Sequence, residues 1–298
     1  MAERRPDIMT HEAPLAPATI AKLEAFNSSR SVGSCSRGCT SRTKLHWWGV
    51  QLGDPGCRAF GELVEQQQQQ QQQQADRLTN LLLGSTGVGD GCMQVIAGLA
   101  ERGHLSRLRS LGLSRNRISD AGCETLATSL SRGHLSELRE LYLSDNGLGD
   151  ACVVALGKAL AAPRGPRYLE KLSANELPRV SVAGFIGLLG HMRAAGDGYN
   201  GAPRLRELSM RNMSRICADA ARRAALLDAL GALQSTLQPT DAKARRTRST
   251  AQRRRLHIIL KAPACKKAAH DPRWEAAASQ WSTRLQQGGA ELRVSVSR

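Results

Sequence analysis

Residues 108–160 read LRSLGLSRNRISDAGCETLATSLSRGHLSELRELYLSDNGLGDACVVALGKAL, and the stretch says the same thing twice. Leu108, Leu111, Leu113, Asn116 and Asp120 return as Leu138, Leu141, Leu143, Asn146 and Asp150, each 30 positions later. Gly103-His104-Leu105-Ser106 returns as Gly133-His134-Leu135-Ser136 at the same spacing. A chain that repeats at a fixed period of this size is built from stacked copies of one small unit.

The physics of the unit follows from its residues. Leu111 and Leu113 alternate, so they point to one side of a short strand. Asn116 ends the strand, and its amide can both donate and accept in the tight turn that follows. Asp120 is placed as the N-cap of a helix. Leu126, Ala127 and Leu130 form that helix's apolar face, and Gly133 lets the chain leave it. Such a unit cannot bury its apolar side alone and must stack on its own copies.

The pattern L-x-x-L-x-L-x-x-N, with a full helix after each strand, resembles the ribonuclease-inhibitor type of leucine-rich repeat. Similar repeats form the binding domains of NOD-like receptors and of the Ran GTPase-activating protein. The resemblance implies an α/β fold: a leucine-rich-repeat solenoid, a horseshoe segment with parallel strands inside and helices outside. It also implies that the usual work of the fold is holding another protein. It covers about half of the chain and is strongest over residues 78–160.

Outward from the two clear units the pattern erodes. Leu78, Leu81, Leu83, Val88 and Asp90 keep the phase one unit earlier, with Thr86 in place of the Asn. Residues 42–65 read as a degenerate first unit, in which Val50 replaces the Asn. The glutamine run 66–74 separates these two units. The spacing from Leu45 to Leu81 is 36, so the run fits an insertion in a surface loop or helix extension. Leu172, Ser173, Asn175 and Leu177 begin a fifth unit one residue out of register, and Leu205, Leu208 and Met210 start a sixth. Residues 216–237 have helical spacing and would cover the end of the stack.

The expected organisation is therefore a disordered N-terminal arm over 1–41, the solenoid over 42–237, a basic linker over 238–270 and a C-terminal helix–strand unit over 271–298. Within the arm, residues 18–26 suit a short helix with little to pack against. Within the linker, residues 256–260 suit a strand, and Leu292, Val294 and Val296 alternate as a last one.

Bulk composition narrows the function. Aromatic residues make up 3% of the chain, which suits a Leu/Ala-filled solenoid. The net charge of +16 is concentrated in the flanks, because residues 76–160 hold nine acidic and nine basic side chains. The N-terminus carries Glu3, Arg4, Arg5 and Asp7 without an apolar run, so the chain reads as lacking a signal peptide. No apolar stretch is long enough to span a membrane. The expected location is cytoplasmic, with the nucleus second. Cys57, Cys92, Cys123 and Cys152 share one phase at the start of each helix, and read as small buried apolar residues kept reduced. Cys35 and Cys39 lack further clustered ligands and read as loop thiols rather than half of a metal site.

Apparent chemistry dissolves against the repeat. The glycine-rich stretch 84–91 invites a phosphate-loop reading, but 114–121 and 144–151 hold the same phase without those glycines. Asp54, Asp90, Asp120 and Asp150 would stack as a carboxylate row and read as one helix cap per unit. His104 and His134 belong to the repeated turn. No catalytic, cofactor or metal residues are assigned, and the expected function is non-enzymatic.

The candidate binding residues flank the core leucines and face the inner side of the strands: His46, Trp48, Leu82, Ser85, Ser110, Arg115, Glu140, Tyr142, Asp145 and Lys171. Trp, Tyr and Arg are common interface hot spots. The primary expectation is a scaffold or adaptor that binds a partner protein there. A second reading uses Arg245, Arg246, Arg248, Arg253, Arg254 and Arg255 as a nuclear-import address or a salt-sensitive nucleic-acid contact. The same segment also reads as a solvated linker.

Overall fold

A computed structural model describes residues 15–27, 40–41, 43–69, 77–194, 204–211, 225, 228–229, 255–261 and 291–296. After a helix α1 (Pro17–Asn27) and a short strand β1 (Thr40–Ser41), strands and helices alternate. They are β2 (Lys44–His46), α2 (Gly53–Gln69), β3 (Asn80–Leu82), α3 (Asp90–Glu101), β4 (Ser110–Gly112) and α4 (Asp120–Arg132). There follow β5 (Glu140–Tyr142), α5 (Asp150–Ala161), β6 (Lys171–Ser173), α6 (Val182–Ala194) and β7 (Glu207–Arg211). Two further strands, β8 (Arg255–Lys261) and β9 (Glu291–Val296), complete an open sheet whose spatial order is the chain order. From β2 onward every neighbour is parallel, and β1 joins β2 antiparallel. This is an α/β solenoid.

The period sets the register. Leu45, Leu81, Leu111, Leu141, Leu172 and Leu208 are direct partners across consecutive strands. Two residues on, Trp47, Leu83, Leu113, Leu143, Ala174 and Met210 are all buried as well. The helices close the core from the other side. Their buried faces include Cys57, Phe60 and Leu63 on α2, Ile96 and Leu99 on α3, Leu126 and Leu130 on α4, Leu156 and Leu160 on α5, and Phe185 and Leu188 on α6.

Polar side chains lock each unit to the next in both directions. Asn146 reaches back one unit: its Nδ2 donates to Leu113 O at 2.9 Å and to Leu143 O at 3.0 Å, and its Oδ1 accepts from Ile118 N at 3.2 Å. Asn116 does the same toward Leu83 O and Thr86 N, at 2.7 and 3.0 Å. The aspartates reach forward, which corrects their assignment as caps of their own helices. Ser119, not Asp120, caps α4 through its Oγ. Asp120 instead accepts from Gly149 N at 2.6 Å and Cys152 N at 3.4 Å, at the start of the following helix. Asp54 accepts from Gly89, Gly91 and Cys92 N, Asp90 from Ser119 N, and Asp150 from Ser181 N. Each carboxylate thus satisfies the orphan donors of its neighbour's helix N-terminus, where the helix dipole also favours negative charge. Gly122 leaves the room this needs: a Cβ there would lie 2.3 Å from Asp90 Oδ1.

Two further expectations change. The in-phase cysteines are buried as anticipated, but they are paired rather than reduced: Cys57 with Cys92 and Cys123 with Cys152. Same-phase positions on adjacent helices lie 5.3 and 5.4 Å apart at Cα, inside the range a disulfide spans. The N-terminal arm is not disordered throughout, because α1 packs on the first unit. Leu23 and Phe26 are buried, Phe26 meets Phe60 at 5.4 Å between ring centroids, and Thr19 Oγ1 donates to Gln51 O at 2.7 Å. The open end of the stack supplies the apolar partner that local sequence does not show. The strand expected within the basic linker at 256–260 is present as β8, which continues the sheet from β7. The glutamine run begins as the last turn of α2, which extends to Gln69.

Candidate functional site

Side chains opposite the core leucines form the inner face. Register places Lys44, Asn80, Ser110, Glu140, Lys171 and Glu207 in one row across β2 to β7. His46, Leu82, Gly112, Tyr142, Ser173 and Ser209 form the next. Beyond the strand ends come Trp48 and the turn residues Ser85, Arg115 and Asp145. These three share a left-handed backbone, with φ of 56°, 58° and 57°.

The C-terminal half of this face is a connected polar cluster. Ser110 Oγ and the Tyr142 hydroxyl both donate to Glu140 Oε2, at 3.1 and 3.2 Å. Lys171 Nζ lies 3.0 Å from Glu207 Oε1 and 5.8 Å from the centroid of the Tyr142 ring. Burial, then the Glu140 charge and the hydrogen bond to it, and finally the Glu207 charge push the Tyr142 phenol up to about 12. Arg115 Nε approaches Asp145 Oδ2 at 3.5 Å, an exposed pair that adds little stability.

The N-terminal half carries two large apolar side chains, Trp48 and Leu82, among polar ones. Trp48 is 57% exposed, the exposed large hydrophobic residue among those described. Its ring lies against Gly84, where a Cβ would fall 2.1 Å from Trp48 Cζ3. Leu82 lies in the same way over Gly112, where a Cβ would fall 2.8 Å from Leu82 Cδ2. Each large side chain rests on a glycine of the next unit.

The structure brings the sequence-selected residues onto one face, though not with equal access. Ser110 is buried at 4% exposure and serves as a donor to Glu140 rather than as open surface. Sequence reasoning missed Lys44, Asn80 and Glu207, which share the phase of Glu140 and Lys171, and it missed the glycine seats of Trp48 and Leu82. Arg245, Arg246, Arg248, Arg253 and Arg254 lie outside the described residues, and Arg255 opens β8. The glycine-rich stretch 84–91 does not offer free amides to a phosphate at Gly89 or Gly91, because Asp54 holds both, together with the amide of Cys92 beyond it. Among the described residues no group of three or more His, Cys, Asp or Glu side chains is placed to hold a metal ion. No helix among them is long and apolar enough to cross a membrane.

Two segments of the chain, residues 104–127 and 134–157, match the family model described as Leucine Rich repeat. They are the turn, strand and helix of the two clearest units. No curated protein matches the chain.

Proposed function

We propose, from the premise that the chain is a leucine-rich-repeat protein, that it is a non-enzymatic scaffold or adaptor holding a partner protein on the inner face of its sheet. Leucine-rich repeats mediate protein–protein interaction, and this chain supplies a face with the features such contacts use. The observation that carries the reading is Trp48, exposed yet held flat on Gly84. A large ring fixed before binding loses little freedom on contact, which is what makes aromatic anchors effective. Tyr142 and Arg115 extend the contact toward the C-terminal units. The location we propose is cytoplasmic, with the nucleus second, where the two cysteine pairs would be an exception to the reduced state usual in those compartments.

The test is co-purification of the full chain at moderate and high salt, beside a copy carrying Trp48→Ala, Arg115→Ala and Tyr142→Ala. A protein retained at high salt by the first and absent from the second supports the scaffold. Nucleic acid that washes off both copies equally with salt would transfer the function to the basic segment 243–267.

A further inference from the structure

The inner face is divided by charge. Over units one to three its strand and turn segments are 43–49, 79–85 and 109–115, and they contain no acidic residue. They do contain Lys44, His46, Arg109 and Arg115. The next segments, 139–145, 170–176 and 206–211, contain Glu140, Asp145, Glu170, Glu176 and Glu207, interspersed with Arg139, Lys171, Arg206 and Arg211. Those acids are engaged: Glu140 by Ser110 and Tyr142, Glu170 by Arg139 at 3.7 Å, and Glu207 by Lys171. By contrast, the side chains of Lys44 and Arg109 have no partner among the described residues, and both are exposed. The uncompensated cations therefore sit in the same half as the apolar side chains of Trp48 and Leu82.

We infer that this N-terminal half is a docking surface for an acidic, extended segment of a partner protein that carries one large apolar side chain. The inference rests on the inner-face reading and specifies its ligand. The apolar side chain would lie across Trp48 and Leu82, each of which rests on a glycine of the next unit. The acidic groups would meet Lys44 on the face and Arg109 at its exposed edge, just before β4, gaining a partner those cations lack. Glu140, whose partners are the neutral hydroxyls of Ser110 and Tyr142, would repel the same segment from the C-terminal half, so the placement is selective as well as attractive. A polypeptide is favoured over a nucleic acid because the described face offers a single exposed ring beside an aliphatic one-leucine step. Single-stranded nucleic acids use successive aromatic platforms.

The experiment is selection of random dodecapeptides, displayed on phage, against the immobilised full chain. Selected peptides and a labelled oligo-dT strand are then titrated against the wild type and three variants: Trp48→Ala, the Lys44→Glu/Arg109→Glu double, and Tyr142→Ala/Lys171→Ala. Circular dichroism confirms that each variant keeps its helices. Expected are peptides rich in Asp and Glu around one large apolar residue. The first two variants should weaken them at least tenfold, and the third less than either. Selected peptides that are neutral or basic and depend on Tyr142 and Lys171 would overturn this inference and leave the inner face standing. Peptides indifferent to all three variants would overturn both. No enriched peptide, with oligo-dT binding lost on Trp48→Ala, would assign the surface to nucleic acid and overturn the inference.

Discussion

Replacing Asn146 with Ala should weaken the stack more than any exposed polar substitution. Asn146 is 8% exposed and serves four backbone groups of two units. Leu113 O keeps a second donor, Asn116 Nδ2 at 2.9 Å, and Ser144 O keeps Arg115 N at 2.8 Å, so those losses are small. Ile118 N–H and Leu143 C=O have no such substitute among their hydrogen bonds. Leaving two buried backbone groups unsatisfied costs about 1–2 kcal/mol each, or about 2–4 kcal/mol together. With a urea slope of about 2 kcal/mol/M, the midpoint followed by circular dichroism should fall by about 1–2 M. Asn146→Thr gives an internal control. Thr86 holds this phase in the second unit, and its Oγ1 donates to Leu83 O at 2.7 Å. A threonine at 146 can restore the equivalent bond to Leu143 O but leaves Ile118 N–H alone. The expected order of stability is wild type, Asn146→Thr, Asn146→Ala. A midpoint for Asn146→Ala no lower than that of the exposed control Ser136→Ala, or a reversed order of the two variants, would refute the reasoning.

Gly122→Ala should destabilise by about 1–3 kcal/mol in the same assay, because the new methyl meets Asp90 Oδ1 at 2.3 Å and Asp90 Cα at 3.0 Å. Gly190→Ala, with nothing within 4 Å, should be neutral or gain up to about 1 kcal/mol of helix propensity; equal effects at the two sites would discredit the crowding argument. Closing loops of 35 and 29 residues, the two cysteine pairs should each contribute about 3–4 kcal/mol by limiting the unfolded chain. Thermal melts with and without dithiothreitol should therefore separate, and coincident curves would argue for unpaired thiols. The Tyr142 phenol should titrate near 12, so the 295 nm absorbance difference between wild type and Tyr142→Phe should rise there rather than near 10. Because the folded value is raised, the native state holds the proton longer than the unfolded chain. The associated stability is intact below about pH 10 and is lost as pH climbs toward 12. A Tyr142→Phe variant with the same alkaline loss of stability would count against that.

Much of this architecture was legible because the leucines repeat in phase. Leu81, Leu111 and Leu141 announce both the strand and its neighbours, since a constant period fixes the register of a parallel stack. Alternation alone also oriented Leu82, Glu140 and Tyr142 onto the inner face. What escaped were interactions whose partner lies one period away. Asp120 sits where a local cap belongs, and only the stacked geometry shows its carboxylate crossing to Gly149. The cysteines were read correctly as buried, but shared phase also makes them neighbours, which turned four inert positions into two pairs. The N-terminal helix was missed as a packed element because its partners, Phe60 and the end of the stack, follow it by over thirty residues. At the site, the signal for Trp48 was its ring. The seat beneath it, Gly84, reads in sequence only as part of a glycine-rich loop.

The covalent pairing also bears on how such an array can change its length. Cys57 joins the first unit to the second, and Cys123 joins the third to the fourth. A crossover between genes that deletes or duplicates a single unit keeps the leucines in phase and still leaves one sulfur without a mate. A crossover that moves two consecutive units keeps both the phase and an even number of cysteines. The smallest heritable increment that preserves every internal bond is therefore a pair of repeats, although the sequence period marks only one.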